Sequence, residues 1–355
     1  MGSERILASG GGVSPLILPI VIRDAEHQGA YAPRSPSKNS KDDVMADGKW
    51  IAGLTPKMPV AEAAKIVLAE RFAVVRQFLP LAAGRAWEDA EFVHQLRVGA
   101  RRAGAALRVF ADALPGKPLK ATKRALRAVR QAAGDARDWD VFLAALPDAK
   151  PFAGATAKPA LDFLLGYAFG QRAAAQARLI TAEVNSGLEF RERSEALLER
   201  TRAPEGDDPP ANFGALAGRQ LGVLLRELTQ EAEANPTEPA ALHALRITAK
   251  RLRYAIELFA DCFPPLVKES IYPAVESVQE LLGEVQDATV SMSSLVDIRA
   301  RGAAVMPQQL ARVKKGIDSY SAALRKKVPL GAKAFAKWRK EWLVQMTSLK
   351  LDALS

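Results

Sequence analysis

Apolar residues return every three or four positions along most of the chain, and proline and glycine mark where that rhythm stops. The stretch "VAEAAKIVLAERFAVVRQFL" (60–79) predicts a first helix that ends at Pro80. A second is predicted from about Glu88 to Ala113, ahead of the breaker "LPGKP". A third, over 119–134, is expected to end on Gly134 as a C-cap, and Asp138 then N-caps a short helix. A long helix over 157–184 completes the group.

A break rich in proline and acid follows at 202–211, and then the order repeats. "FGALAGRQLGVLLRELTQEAEA" answers the first helix and "TEPAALHALRITAKRLRYAIELFADCF" the second. "PLVKESIYPAVESVQELLG" answers the third and "QQLARVKKGIDSYSAALRKK" the last. An additional helix is predicted over 331–349.

The repeat survives a direct superposition. Sliding "HQLRVGARRAGAALRVF" (94–110) by 149 residues lays it on "HALRITAKRLRYAIELF" (243–259) with seven identities in seventeen positions. The same shift places Gly134 on Gly283, Asp138 on Asp287 and Val141 on Val290. One register across two helices and the segment joining them points to internal duplication of a four-helix unit. The expected fold is all-α: a tail or remnant segment over 1–58, a first bundle over 59–201, a linker over 202–211, a second bundle over 212–330 and a C-terminal helix over 331–355.

At about 100° per residue, Leu96, Ala100, Ala103, Ala106 and Phe110 share one face of the first copy. His94, Arg97, Arg101 and Arg108 share the other, and Arg102 lies nearer the boundary. In the second copy His243, Arg246, Lys250 and Arg253 face away from Leu245, Ala249, Leu252 and Phe259, with Arg251 off the arc. A lone arginine on such a face is ordinarily there for solubility. This group differs, because it lacks the acidic partners one turn away that a solvated helix carries.

Charge sharpens the reading. The formal net charge is +10 and the isoelectric point about 9.7. The window 94–130 alone holds ten Lys or Arg against Asp112, a balance of +9. Lys120, Lys123, Arg127 and Arg130 extend the basic face onto the next helix, where the second copy carries Glu269, Tyr272, Glu276 and Gln279 instead. The site is therefore expected to be lopsided toward the first copy. Lys314 and Lys315 belong to another basic stretch, 311–340, which holds ten basic residues and Asp318. Like charges packed this closely repel, and a bound polyanion relieves that cost. Arginine's planar fork suits phosphate oxygens.

Other chemistry is thinly represented. Cys262 is the single cysteine, so neither an intrachain disulfide nor a cysteine metal cluster is available, and a cytoplasmic setting is expected. The run "PLILPIVI" (15–22) is too short to span a membrane and reads as a strand or docking segment. His94 and His243 sit among guanidinium groups that repel a metal ion, so no metal and no cofactor is expected. No phosphate-binding GxxxxGK[ST] loop, HExxH pair or GxSxG elbow occurs, and no catalytic residues are expected.

The histidine-led "HxLRVxxRRxxxxLxxF", the following "GxxRDxxV" and the duplication together resemble the CHAD family, the conserved histidine α-helical domain. The resemblance covers about residues 60 to 330 and implies two four-helix bundles related by a pseudo-twofold axis. It implies binding of inorganic polyphosphate along the basic surface between them, in some members at polyphosphate granules. The second copy departs at Gln286, where the first has Arg137. Members are often fused to an N-terminal triphosphate-tunnel domain, for which about 58 residues are too few, so a stand-alone domain is expected. Nucleic acid is the second-choice partner, because exposed aromatics for base stacking are not interleaved with the basic face.

Overall fold

The computed structural model describes residues 48–202 and 212–348. The 15–22 run, nearly all of the 202–211 break and residues 349–355 lie outside them. Nine α-helices carry the described chain: α1 Val60–Gly84, α2 Glu91–Val109, α3 Gly116–Ala145, α4 Lys158–Ala182 and α5 Leu188–Arg200, then α6 Phe213–Glu233, α7 Pro239–Phe259, α8 Tyr272–Val305 and α9 Pro307–Ser348. Among the described residues there is no strand, only an isolated bridge between Pro59 and Asn212. The fold is all-α.

The apolar stripes on α2 and α7 are buried as their periodicity requires, with Leu96, Ala100, Leu245 and Leu252 fully enclosed. Each such leucine contributes about 1.5–3 kcal/mol by leaving water. A 3₁₀ turn follows each helix, at Ala111–Ala113 and at Ala260–Cys262, 149 residues apart. Phe110 and Phe259, which close the two stripes, both pack on Phe213 at centroid distances of 6.0 and 5.2 Å. α2 and α7 thus lie against each other, which brings their polar faces to one region.

The apolar residues form two cores, and neither stops at the 202–211 break. The larger draws on α1, α2, α5, α6 and α7, together with parts of α3, α4, α8 and α9. The smaller joins the end of α3 and start of α4 to the second half of α8 and first half of α9, through Phe142, Leu164, Leu295 and Ile317. The C-terminal part of α9 belongs to the larger core. Phe335, Trp338 and Trp342 stack in series there at 5.7 and 5.5 Å. The Trp338 indole donates to the Ala274 carbonyl at 2.8 Å.

Several helix ends differ from expectation, each for a tertiary reason. α1 continues through Pro80 to Gly84 because Leu79, Ala82 and Ala83 are buried. The Gln176 amide also donates to the carbonyls of Ala82 and Ala83, at 2.9 and 2.6 Å. Gly134 ends nothing: α3 runs through it, carried by buried Ala132, Ala133 and Ala136. Gly283 lies within α8 in the same way, so neither Asp138 nor Asp287 is an N-cap. α9 passes Pro329 without a break, so the expected boundary at 330 falls inside one helix of 42 residues. At the other end, residues 48–58 are not loose, since Ile51 and Leu54 are buried and Trp50 packs on Tyr272 at 5.1 Å.

Candidate anion-binding site

The polar faces of α2 and α7, with the middle of α3 and α8, enclose a cavity of about 490 Å³. His94, Arg97 and Arg101 enter it from α2, and His243, Arg246 and Lys250 from α7. Six of the residues singled out in the sequence are thereby gathered. α3 adds Arg137 and Asp138, and α8 adds Gln286 and Asp287.

The glycine–arginine relation is the same in both copies. Each arginine lies across the helix beside it where a side chain is missing: a Cβ on Gly134 would stand 3.8 Å from Arg97 Nη1, and one on Gly283 3.8 Å from Arg246 Nη2. Arg97 Nη1 donates to the Gly134 carbonyl at 2.9 Å and to Asp138 Oδ1 at 2.6 Å. Asp138 is thus an orienting partner. On the other side the His243 ring Nδ1 meets Gln286 Oε1 at 3.1 Å.

Positive charge in the cavity exceeds what the acids answer. Arg101, Arg246 and Lys250 form no ion pair with any described acid, and the buried Arg246 Nε has no hydrogen-bond partner. Burial holds Arg101 and Arg246 below the ordinary arginine value, opposed at Arg246 by Asp287, with Arg97 adding repulsion to both. Burial is also the leading cause that lowers His94, against an opposing pull from Glu91 and with repulsion from Arg137 and Arg97. Lys250 is displaced further, to about 7, by burial and then by Arg246, Arg101, Arg97 and Arg253. Such a site stores repulsion that a phosphate group would remove.

A second basic pocket of about 300 Å³ lies farther along α2. Arg108 enters it from α2, and Lys123, Arg127 and Arg130 from α3. Arg108 follows Arg101 by seven residues, about 10 Å along the same face. Burial lowers its pKa, helped by Arg130 and by Arg251 across the gap. Arg251 itself is paired with Glu227 at 3.0 Å.

The positions in the second copy that correspond to this pocket build something else. Shifted by 149, Arg108, Lys123, Arg127 and Arg130 become Glu257, Tyr272, Glu276 and Gln279. Glu257 is 2% exposed and accepts from Arg102 Nε at 2.7 Å, from Arg102 Nη2 at 3.2 Å and from the Tyr272 hydroxyl at 3.1 Å. Arg253 approaches Glu257 and Glu276 at 3.8 and 3.7 Å. Arg102 and Arg253 therefore belong to a buried ion cluster and line neither basic pocket, apart from the other residues expected in the binding face. The reason is an acid 155 residues from Arg102 in sequence.

Three other expected contributors also stand apart. Lys120 is exposed and lines neither pocket. Lys314 is paired with Asp318 at 2.6 Å, and Lys315 is exposed on the outer side of α9. A different part of α9 approaches the cavity: Lys326 and Lys327, with Lys150, line a groove of about 1190 Å³ that shares Asp287 and Ser291 with it. Lys326 and Lys327 belong to the basic stretch 311–340 but were not singled out in it, and neither Lys150 nor Arg137 was, although the place of Arg137 in "GxxRDxxV" was an available signal. Among the described residues no three His, Cys, Asp or Glu gather as metal ligands, and no helix is long and apolar enough to cross a membrane.

The sequence matches the profile of the CHAD domain over residues 66–296. No curated protein matches the chain. Two solved structures share its fold. The CHAD domain from the plant Ricinus communis is 22% identical with a TM-score of 0.63, covering 82% of this chain and 95% of that one. PptA from Streptomyces chartreusis is 19% identical with a TM-score of 0.61, covering 80% of this chain and 100% of that one.

Proposed function

The chain belongs to the CHAD family, and we propose from that premise that it binds inorganic polyphosphate, without catalysis, in the cavity between α2 and α7. The observation that carries the proposal is the set of cations there that form no ion pair with a described acid: Arg101, Arg246 and Lys250. A chain of phosphates supplies one negative charge after another at close spacing. Two helices that each present histidine, arginine and a further cation grip such a ligand from both sides.

The pocket around Arg108 and Arg130 extends the path along α2, so a longer polymer engages both. The division of labour follows from the corresponding positions, which hold acid in the second copy. On this reading the protein associates with polyphosphate granules or responds to polyphosphate there.

Competition separates this ligand from nucleic acid. Fluorescent long-chain polyphosphate is bound at a series of salt concentrations, and unlabelled polyphosphate, single-stranded and double-stranded DNA compete at equal phosphate concentration. Displacement by polyphosphate well ahead of both nucleic acids is expected. Equal or stronger displacement by DNA overturns the proposal. The logarithm of affinity is expected to fall linearly with the logarithm of salt in either case, so the ranking decides.

A further inference from the structure

We propose that Lys250 is a covalent modification site, a nucleophilic amine that accepts the acyl group of an acyl phosphate held by Arg101 and Arg246. The inference rests on the anion-binding reading of the central cavity and gives that site a second chemistry.

The geometry places an amine and a phosphate cradle in one enclosure. Lys250 lies one turn beyond Arg246 on α7, and Arg101 faces it from α2. The charged and titratable groups around it are His94, Arg97 and Arg101 on α2, Arg137 and Asp138 on α3, Asp287 on α8 and His243 on its own helix. Arg246 and Arg253 repel it from its own helix. Asp138 is engaged by Arg97, and no described carboxylate pairs with Lys250.

An exposed lysine is almost wholly protonated near neutrality and has no lone pair to offer. Desolvation beside other cations is the arrangement that frees such a pair. The displacement of Lys250 to about 7 agrees with that surrounding. A bound phosphate returns some proton affinity, so the reactive fraction grows as pH rises from about 7.

The step balances without any further reagent. The Lys250 Nζ lone pair attacks the acyl carbonyl carbon, and the N–C bond forms. The bond from that carbon to the phosphate oxygen breaks, and phosphate leaves with the electron pair. The proton lost from nitrogen passes to phosphate or solvent, leaving an N-acyl lysine and inorganic phosphate. The leaving group departs onto the guanidinium groups that held it. The product carries no charge at Nζ and fills part of the cavity, so acylation and polyphosphate binding exclude each other.

The full chain is treated at pH 7.5 with acetyl phosphate, and in parallel with an uncharged acetylating ester, and each lysine is followed by peptide mass spectrometry. With acetyl phosphate, Lys250 is expected to react at least about tenfold faster than exposed lysines such as Lys120 and Lys337, because its larger neutral fraction is joined by capture of the phosphate beside it. The uncharged ester is expected to show a smaller preference, and polyphosphate to protect Lys250 alone. A Lys250 rate no higher than that of the exposed lysines under acetyl phosphate overturns the inference. Polyphosphate affinity measured on the same sample reports separately on the binding proposal, so a failure of one is told from a failure of the other.

Discussion

Arg102 of α2 and Glu257 of α7 are joined by two hydrogen bonds, Nε to Oε2 at 2.7 Å and Nη2 to Oε1 at 3.2 Å, in the contact between the two repeated helices. The Glu257 side chain is 1% exposed and the Arg102 side chain 17%. Their counterparts under the 149-residue shift are Arg251 and Arg108, two cations that repel each other. The same pair of positions therefore holds an ion pair on one side and two like charges on the other.

Removing one partner strands the other. Glu257→Ala leaves Arg102 without its acid and Arg253 with Glu276 alone, and a loss of about 3–5 kcal/mol is expected. Urea unfolding followed by circular dichroism measures it. A loss below about 1 kcal/mol would show that the cluster does not hold α2 to α7.

The second basic pocket lengthens the binding path, so its loss is expected to depend on ligand length. Arg130→Ala lowers the slope of log affinity against log salt by about one for long polyphosphate. It leaves a ligand too short to reach beyond the central cavity nearly unaffected. Isothermal titration at four salt concentrations with both ligands checks this, and equal losses for both contradict it.

Affinity is expected to depend on pH through Lys250. Its pKa is held at about 7 in the free protein, and a bound anion raises it. Binding then takes up a proton above about 7, so affinity is level below that value and declines as pH rises through it. The decline is up to about tenfold for each unit by which the anion raises the amine. Lys250→Arg, charged throughout, is expected to flatten it. His94, lowered mainly by burial, adds a second gain at more acidic pH. The stability effect has its own sign: between about 7 and the ordinary lysine range the unfolded chain holds the proton that the folded amine lacks. The contribution of this group therefore weakens as pH falls through that range and is at its floor below about 7.

Close helix packing limits substitution elsewhere. A Cβ on Gly316 of α9 would stand 2.3 Å from the Ala160 Cβ of α4, a contact that no rotamer change relieves. Gly316→Ala is expected to cost about 1–3 kcal/mol, read as a lower urea midpoint with unchanged helicity before unfolding.

The helices were legible in the chain because their apolar stripes are strongly periodic, and the central site because one register repeats His94, Arg97 and Arg101 as His243, Arg246 and Lys250. Helix ends were less legible, since Pro80 and Pro329 are overruled by side chains buried beyond them, such as Ala82 and Trp342. Gly134 looked like a cap, yet it lies within α3, where its carbonyl accepts from Arg97. Arg102 and Arg253 could not be separated from the binding face by periodicity, because the acid that claims both is set by how α2 meets α7. Lys326 and Lys327 approach the site through the packing of α9 on α8, which periodicity alone does not give.

The most direct measurement compares polyphosphate affinity of the unaltered protein with that of Arg97→Glu/Arg246→Glu, with circular dichroism confirming that both are folded. A central cavity that holds polyphosphate predicts a loss of at least about a hundredfold at fixed salt, from two cations replaced by two anions in an enclosed site. Affinity within about threefold of the unaltered protein, in a variant that remains helical, would contradict it and return these arginines to the ordinary surface.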